Sequence, residues 1–138
     1  MKKDNDADHN ESADGLLQLV THFSNKGLNL PITLFVKGSI ISGTLIGRTE
    51  YLDQFSSDFT IGWGKESTDA LKDAFGLNKE TEGDDDDDDF RTLHYIHLKD
   101  AKVFSPGKQP LPSNGLLWRG KLNEVDGFSY GKFSLEDA

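Results

Sequence analysis

The residues best equipped for chemistry in this 138-residue chain are four histidines and a run of six aspartates. Such side chains could ligate a metal or exchange a proton. Calcium loops alternate acids with a glycine and with carbonyl ligands, because the chain must wrap the ion. The unbroken run Asp84, Asp85, Asp86, Asp87, Asp88 and Asp89 lacks that geometry and reads as a solvated, self-repelling loop that tunes the charge of an interaction. His94 and His97 fall in a segment with the pattern of a strand. Their separation puts them on opposite faces, where they cannot close on one metal. No nucleophile is placed beside His94 and Asp100 to make them an acid–base pair. The chain has no G-x-S-x-G, no glycine-rich phosphate loop, no H-E-x-x-H and no paired-carboxylate motif. It also has no cysteine, which excludes disulfides, thiolate metal sites and a cysteine nucleophile. A chain that binds rather than catalyses is expected, with no cofactor and no metal.

The candidates for binding are aromatic and cationic. Trp118 and Arg119 stand side by side in LLWRGKL. Two readings are open for them: an edge-strand arginine lying over an aromatic ring, or a stacking and charge platform for a partner. Phe55, Phe59 and Trp63 fall in a middle region of loose pattern. There they either complete a small core or form a surface that sticks weakly to partners and to itself.

The net charge of −9 is unevenly placed. Residues 1–14 hold two lysines against five acids, residues 65–89 three against eleven, and the remainder ten basic residues against eight acids. The part expected to fold is thus nearly neutral. Without a basic cluster to displace counterions, nucleic acid is not expected as a partner. An acidic membrane surface would repel the acidic segments. The opening MKKDNDADHNESAD lacks the apolar stretch of a signal peptide, and no run approaches the roughly 18 apolar residues of a membrane helix. A cytoplasmic location follows as the expectation.

The elements that must position these residues are legible in outline. Residues 1–11 read as a disordered acidic lead-in. A helix is predicted from about Ser12 to Asn25, with Leu16, Leu17, Val20 and Phe23 as its apolar stripe, Ser12 or Asp14 as N-cap and Gly27 just past its end. Pro31 to Val36 and Ser39 to Arg48 read as a hairpin turning at Lys37-Gly38. Gly43 in the second strand marks a bulge or bend where backbone passes close to something. Two weak helical stretches, about Glu50–Phe55 and Glu66–Phe75, precede the aspartates. Strands are then expected at Leu93–Leu98, continuing through Ala101–Phe104, at Leu116–Leu122, and after the turn at Glu124–Gly127, with residues 106–115 irregular between them. The domain reading is one unit over 12–134. Residues 50–92 form an insertion that contains a flexible acidic loop at 79–90, and 135–138 form a tail.

Two resemblances extend this reading. LFVKGSIISGTLIG, with Gly38, Gly43 and Leu45, resembles the first signature of the Sm/LSm fold, and LWRGKL resembles part of its second. This implies an α+β protein with an N-terminal helix before a small, strongly bent, barrel-like antiparallel sheet, and it implies oligomerisation. The Sm loop that carries Asp and Asn for uridine is not recognisable after Arg48, where roughly 40 residues are inserted. An Sm-like oligomeric RNA-binding protein is therefore the alternative reading. The segments LPITLFVKGSIISGTLIGRTEYLDQF, YIHLKDAKVF and LLWRGKLNEVDGFSYGKF resemble, in the same order, the gas vesicle accessory protein GvpU family. That resemblance implies a non-enzymatic protein that associates with the gas vesicle shell or other gas vesicle proteins. It also implies control of vesicle clustering through weak self-association and phase separation. The interaction residues expected from the sequence itself are Trp118, Arg119, Trp63, Phe55, Phe59 and the aspartates Asp84 to Asp89.

Overall fold

The computed structural model describes residues 9–75, 89–109 and 111–133. Asp84 to Asp88, most of the expected loop 79–90, and the tail 135–138 lie outside them. The order of elements is α1 (Gly15–Asn25), β1 (Leu30–Val36), β2 (Ser39–Ile46), α2 (Arg48–Phe59), α3 (Lys65–Ala74), a 3-10 turn (Phe90–Thr92), β3 (Tyr95–Phe104), β4 (Leu111–Lys121), a second 3-10 turn (Leu122–Glu124) and β5 (Gly127–Tyr130).

The strands form one antiparallel sheet in the order β4-β3-β2-β1-β5. The expected barrel-like closure is not reached. The order is linear, and β4 and β5 are open edges. The architecture is α+β with the helix first, as the sequence indicated.

Strand alternation divides the side chains between two faces. Leu34 pairs with Ile41 and Leu45 with Leu98, and these join Ile32, Ile96, Ala101, Leu122 and Leu17 of α1 in the buried core. Thr33, Ser42, Ile46 and His97 fall on the opposite face, which is buried in its own right. There Thr33 Oγ1 donates to the Gly131 carbonyl at 2.7 Å, and Phe133 N–H donates to Ser42 Oγ at 2.7 Å, so the last described residues cover part of it.

Helix α1 starts later than expected and turns a different face inward. Its N-cap is Asp14, one of the two candidates, whose carboxylate accepts Leu16 N–H at 2.9 Å. The buried residues are Leu17, Gln18, Thr21 and Ser24, while Leu16 and Phe23 of the expected stripe are exposed. Packing here is too close for large side chains: a Cβ on Gly47 would lie 2.5 Å from the Ser24 carbonyl oxygen. Gln18 Nε2 also donates to the carbonyls of Arg91, at 3.0 Å, and Leu93, at 3.2 Å. Gln18 thereby adds to the bonds that Asn10 makes to the same two carbonyls, and Thr21 Oγ1 donates to the Leu17 carbonyl at 2.8 Å.

Gly43 sits at the register shift between β2 and β3. A Cβ there would come within 2.9 Å of the Lys99 carbonyl oxygen and 3.0 Å of Ala101 Cα, which is the close approach expected of this glycine. The region read as irregular before Leu116 is strand β4 from Leu111 onward. Its turn-forming residues are absorbed as two register shifts against β3. Gly115 (φ 82°) backs onto Asp100 (φ 55°), so each strand takes a left-handed residue where they bulge.

Candidate functional site

Beyond the core, the described residues present two features: an aromatic ridge on α2 and a cationic cleft beside it. Tyr51, Phe55 and Phe59 are four residues apart on α2, one helical turn from each to the next, and Trp63 follows four residues on, past the helix end. Tyr51 and Phe55 rings lie 6.1 Å apart, Phe55 and Phe59 5.3 Å, and Phe59 and Trp63 5.5 Å. Phe75, just past α3, meets Phe55 edge-on at 6.2 Å. At the inner end Tyr51 packs on the buried His97, 4.6 Å between rings. The outer end is uncovered among the described residues: Phe59 is 54% exposed, Ile61 78% and Trp63 46%. Phe55, Phe59 and Trp63 were singled out in the sequence, and the structure places them together. Tyr51 was missed, although the four-residue spacing it completes is a visible signal.

Trp118 and Arg119 are not one platform. They are adjacent on β4, so they project to opposite faces. Trp118 packs half-buried against the core, where a Cβ on Gly120 would overlap its ring. Arg119 is exposed on the outer face, with its guanidinium carbon 3.8 Å above the Tyr95 ring centre. Its Nε–H donates to His97 Nε2 at 3.2 Å. Of the two readings for this arginine, the geometry is that of an edge-strand cation over an aromatic ring.

His97 is 3% exposed. Burial, then the charges of Arg119 and Arg48, push its pKa down to about 3. It is therefore a neutral ring at ordinary pH, accepting on Nε2 and protonated on Nδ1. His94 is exposed, so the two histidines are separated as expected. Among the described residues no group of three or more His, Asp or Glu is placed to hold a metal ion, and no helix is long and apolar enough to cross a membrane.

Of the aspartate run only Asp89 is described. It caps the first 3-10 turn by accepting Arg91 N–H at 3.0 Å, and His9 Nε2 lies 2.6 Å from its other oxygen. Burial alone would raise its carboxyl, but the bonds from His9 and Arg91 hold it below the usual range. Residues 9–11 are thereby placed as well, with Asn10 buried and its N–H donating to the Arg91 carbonyl at 2.8 Å.

Fold and surface define a small α+β protein with a neutral buried histidine at the junction of an aromatic ridge and a cationic cleft. Residues 14–133 match the family described as gas vesicle protein GvpU-like, and the chain belongs to that GvpU-like family. No curated protein and no solved structure gives a match.

Proposed function

We propose that this chain is a non-enzymatic, cytoplasmic accessory protein of gas vesicles, which docks on vesicle proteins and on copies of itself to control vesicle clustering. The observation that carries this reading is the uncovered end of the ridge. Phe59 and Trp63, in ring contact, and Ile61 between them in the chain are all exposed just before helix α3, which buries none of its own residues. Rigid aromatics supply contact area at small entropic cost and are favoured at interface centres. The acidity of residues 65–89, three lysines against eleven acids, gives each copy charge that repels other copies, so self-association strengthens as salt screens it.

Self-association has a second support in the open edges of the sheet. Among the described residues β4 and β5 are each paired to one neighbour only, which leaves an edge that another strand can meet. A helix followed by five antiparallel strands with a bend at Gly43 also suits the Sm-like reading. The charge balance disfavours RNA as the partner.

The test uses purified vesicles and turbidity. The unaltered chain is expected to cluster them, and Phe59→Ser combined with Trp63→Ser to reduce clustering at least ten-fold while the far-UV circular dichroism stays unchanged. Equal clustering by the double variant would remove the ridge from the account. Clustering abolished by uridine-rich RNA would favour the Sm-like alternative.

A further inference from the structure

A cleft of about 580 Å³ opens on the outer face of β3 and β4, a size typical of small-molecule sites. Its wall carries three cations in an otherwise acidic chain: Arg48 from the start of α2, and Arg119 and Lys121 from β4. One carboxylate, Asp89, stands among them, and it already holds His9 at 2.6 Å and Arg91 at 3.1 Å. Among the described residues, no carboxylate lies within ion-pair distance of Arg119 or Lys121.

Arg119 is fixed from two sides. Tyr95 sets the plane of its guanidinium, and the neutral His97 takes one N–H. An arginine of five donors held in this way is pre-organised to present its remaining N–H groups to an oxyanion in a forked pair of bonds. His97 contributes no charge, so the field open to a ligand belongs to Arg119 and Lys121. A single carboxylate would leave one of these two charges unbalanced. A phosphate ester carries roughly −1.5 to −2 near pH 7 with three acceptor oxygens, and it balances more of that field while using more of the donors.

We propose that this cleft is a binding site for a small phosphate ester, its phosphate gripped by Arg119 together with Lys121. The site adjoins a second groove of about 360 Å³ lined by Tyr51 and Phe55, with Arg48, His97 and Arg119 common to both. A bound phosphate would therefore sit at the root of the aromatic ridge. The proposal stands independently of what the ridge contacts.

The experiment is a titration of the full chain at low salt with inorganic phosphate, pyrophosphate, succinate and a hexa-aspartate peptide, followed by melting temperature and backbone amide shifts. Pyrophosphate is expected to saturate, to raise Tm by several degrees, and to move the amides of Tyr95 and Lys121. Succinate is expected to bind at least ten-fold more weakly. Arg119→Gln should weaken pyrophosphate at least ten-fold, Arg119→Lys should restore only part of the loss, and Lys108→Gln, at an exposed turn outside the cleft, should leave binding unchanged. Absence of a saturable pyrophosphate response would overturn the proposal. So would hexa-aspartate displacing pyrophosphate at equal concentration, which would assign the cleft to an acidic peptide. Should Arg119→Gln fail to fold, the competition on the unaltered chain decides.

Discussion

At the scale of single residues, His97 is the side chain whose surroundings most change its chemistry. Its position on a strand and its separation from His94 were legible from alternation alone. Its burial was not, because what covers it is Tyr51, which reaches it from another element. With the folded pKa near 3 and the unfolded value near 6.5, the unfolded chain binds the proton first as pH falls. Stability from a neutral His97 is thus fully present above about pH 6.5 and is lost progressively down to pH 3. At about 1.4 kcal/mol per unit, the loss by pH 5 is on the order of 2 kcal/mol, or roughly 5 to 8 °C in Tm for a domain of this size. Thermal melts of the unaltered chain should show this slope between pH 6.5 and 5, and His97→Leu should flatten it. Parallel slopes in the two proteins would mean that the ring is not held neutral. Gly43 shows the opposite balance: its need for close backbone approach was readable from one glycine in an apolar strand, because no other residue type tolerates that contact.

At the scale of elements, local signals located the helix, the hairpin and the third strand, because cap residues, period-two alternation and turn glycines act within a few residues. They failed where packing decided. On α1, Leu17 and Val20 of the expected stripe pack in or against the core, while Leu16 and Phe23 turn outward. Gln18, Thr21 and Ser24 are buried instead, where the helix lies close to Gly47 and Gln18 reaches the carbonyls of Arg91 and Leu93. Turn residues before Leu116 were taken into β4 because pairing with β3 accommodates them as bulges. Of the ridge, Phe55, Phe59 and Trp63 were singled out from the sequence and Tyr51 was missed, though its four-residue spacing was there to read. Helix α3 is held to the rest by the Lys72–Asp53 contact at 3.9 Å and by Phe75 on Phe55, and it buries no residue. Hydrogen exchange should therefore show the amides of α3 exchanging at least a hundred-fold faster than those of β2 and β3. Equal protection would mean that α3 belongs to the cooperative core.

At the scale of the whole molecule, the central claim is that a gas vesicle family member acts by binding, through aromatic surface outside the core and acidity concentrated in residues 1–14 and 65–89. The charge distribution was fully legible in the sequence, since it needs only counting. The meeting of ridge and cleft at His97 was not, because it joins α2, β3 and β4 across the sheet. The most direct measurement is flotation of the purified chain with intact vesicles across a salt series, alongside a variant lacking residues 79–88 and the Phe59→Ser, Trp63→Ser double variant. The account predicts that the unaltered chain rises with the vesicles, that the shortened chain binds with a weaker dependence on salt, and that the double variant stays below. A chain that remains in solution at every salt concentration, or a double variant that floats as well as the unaltered chain, would contradict it.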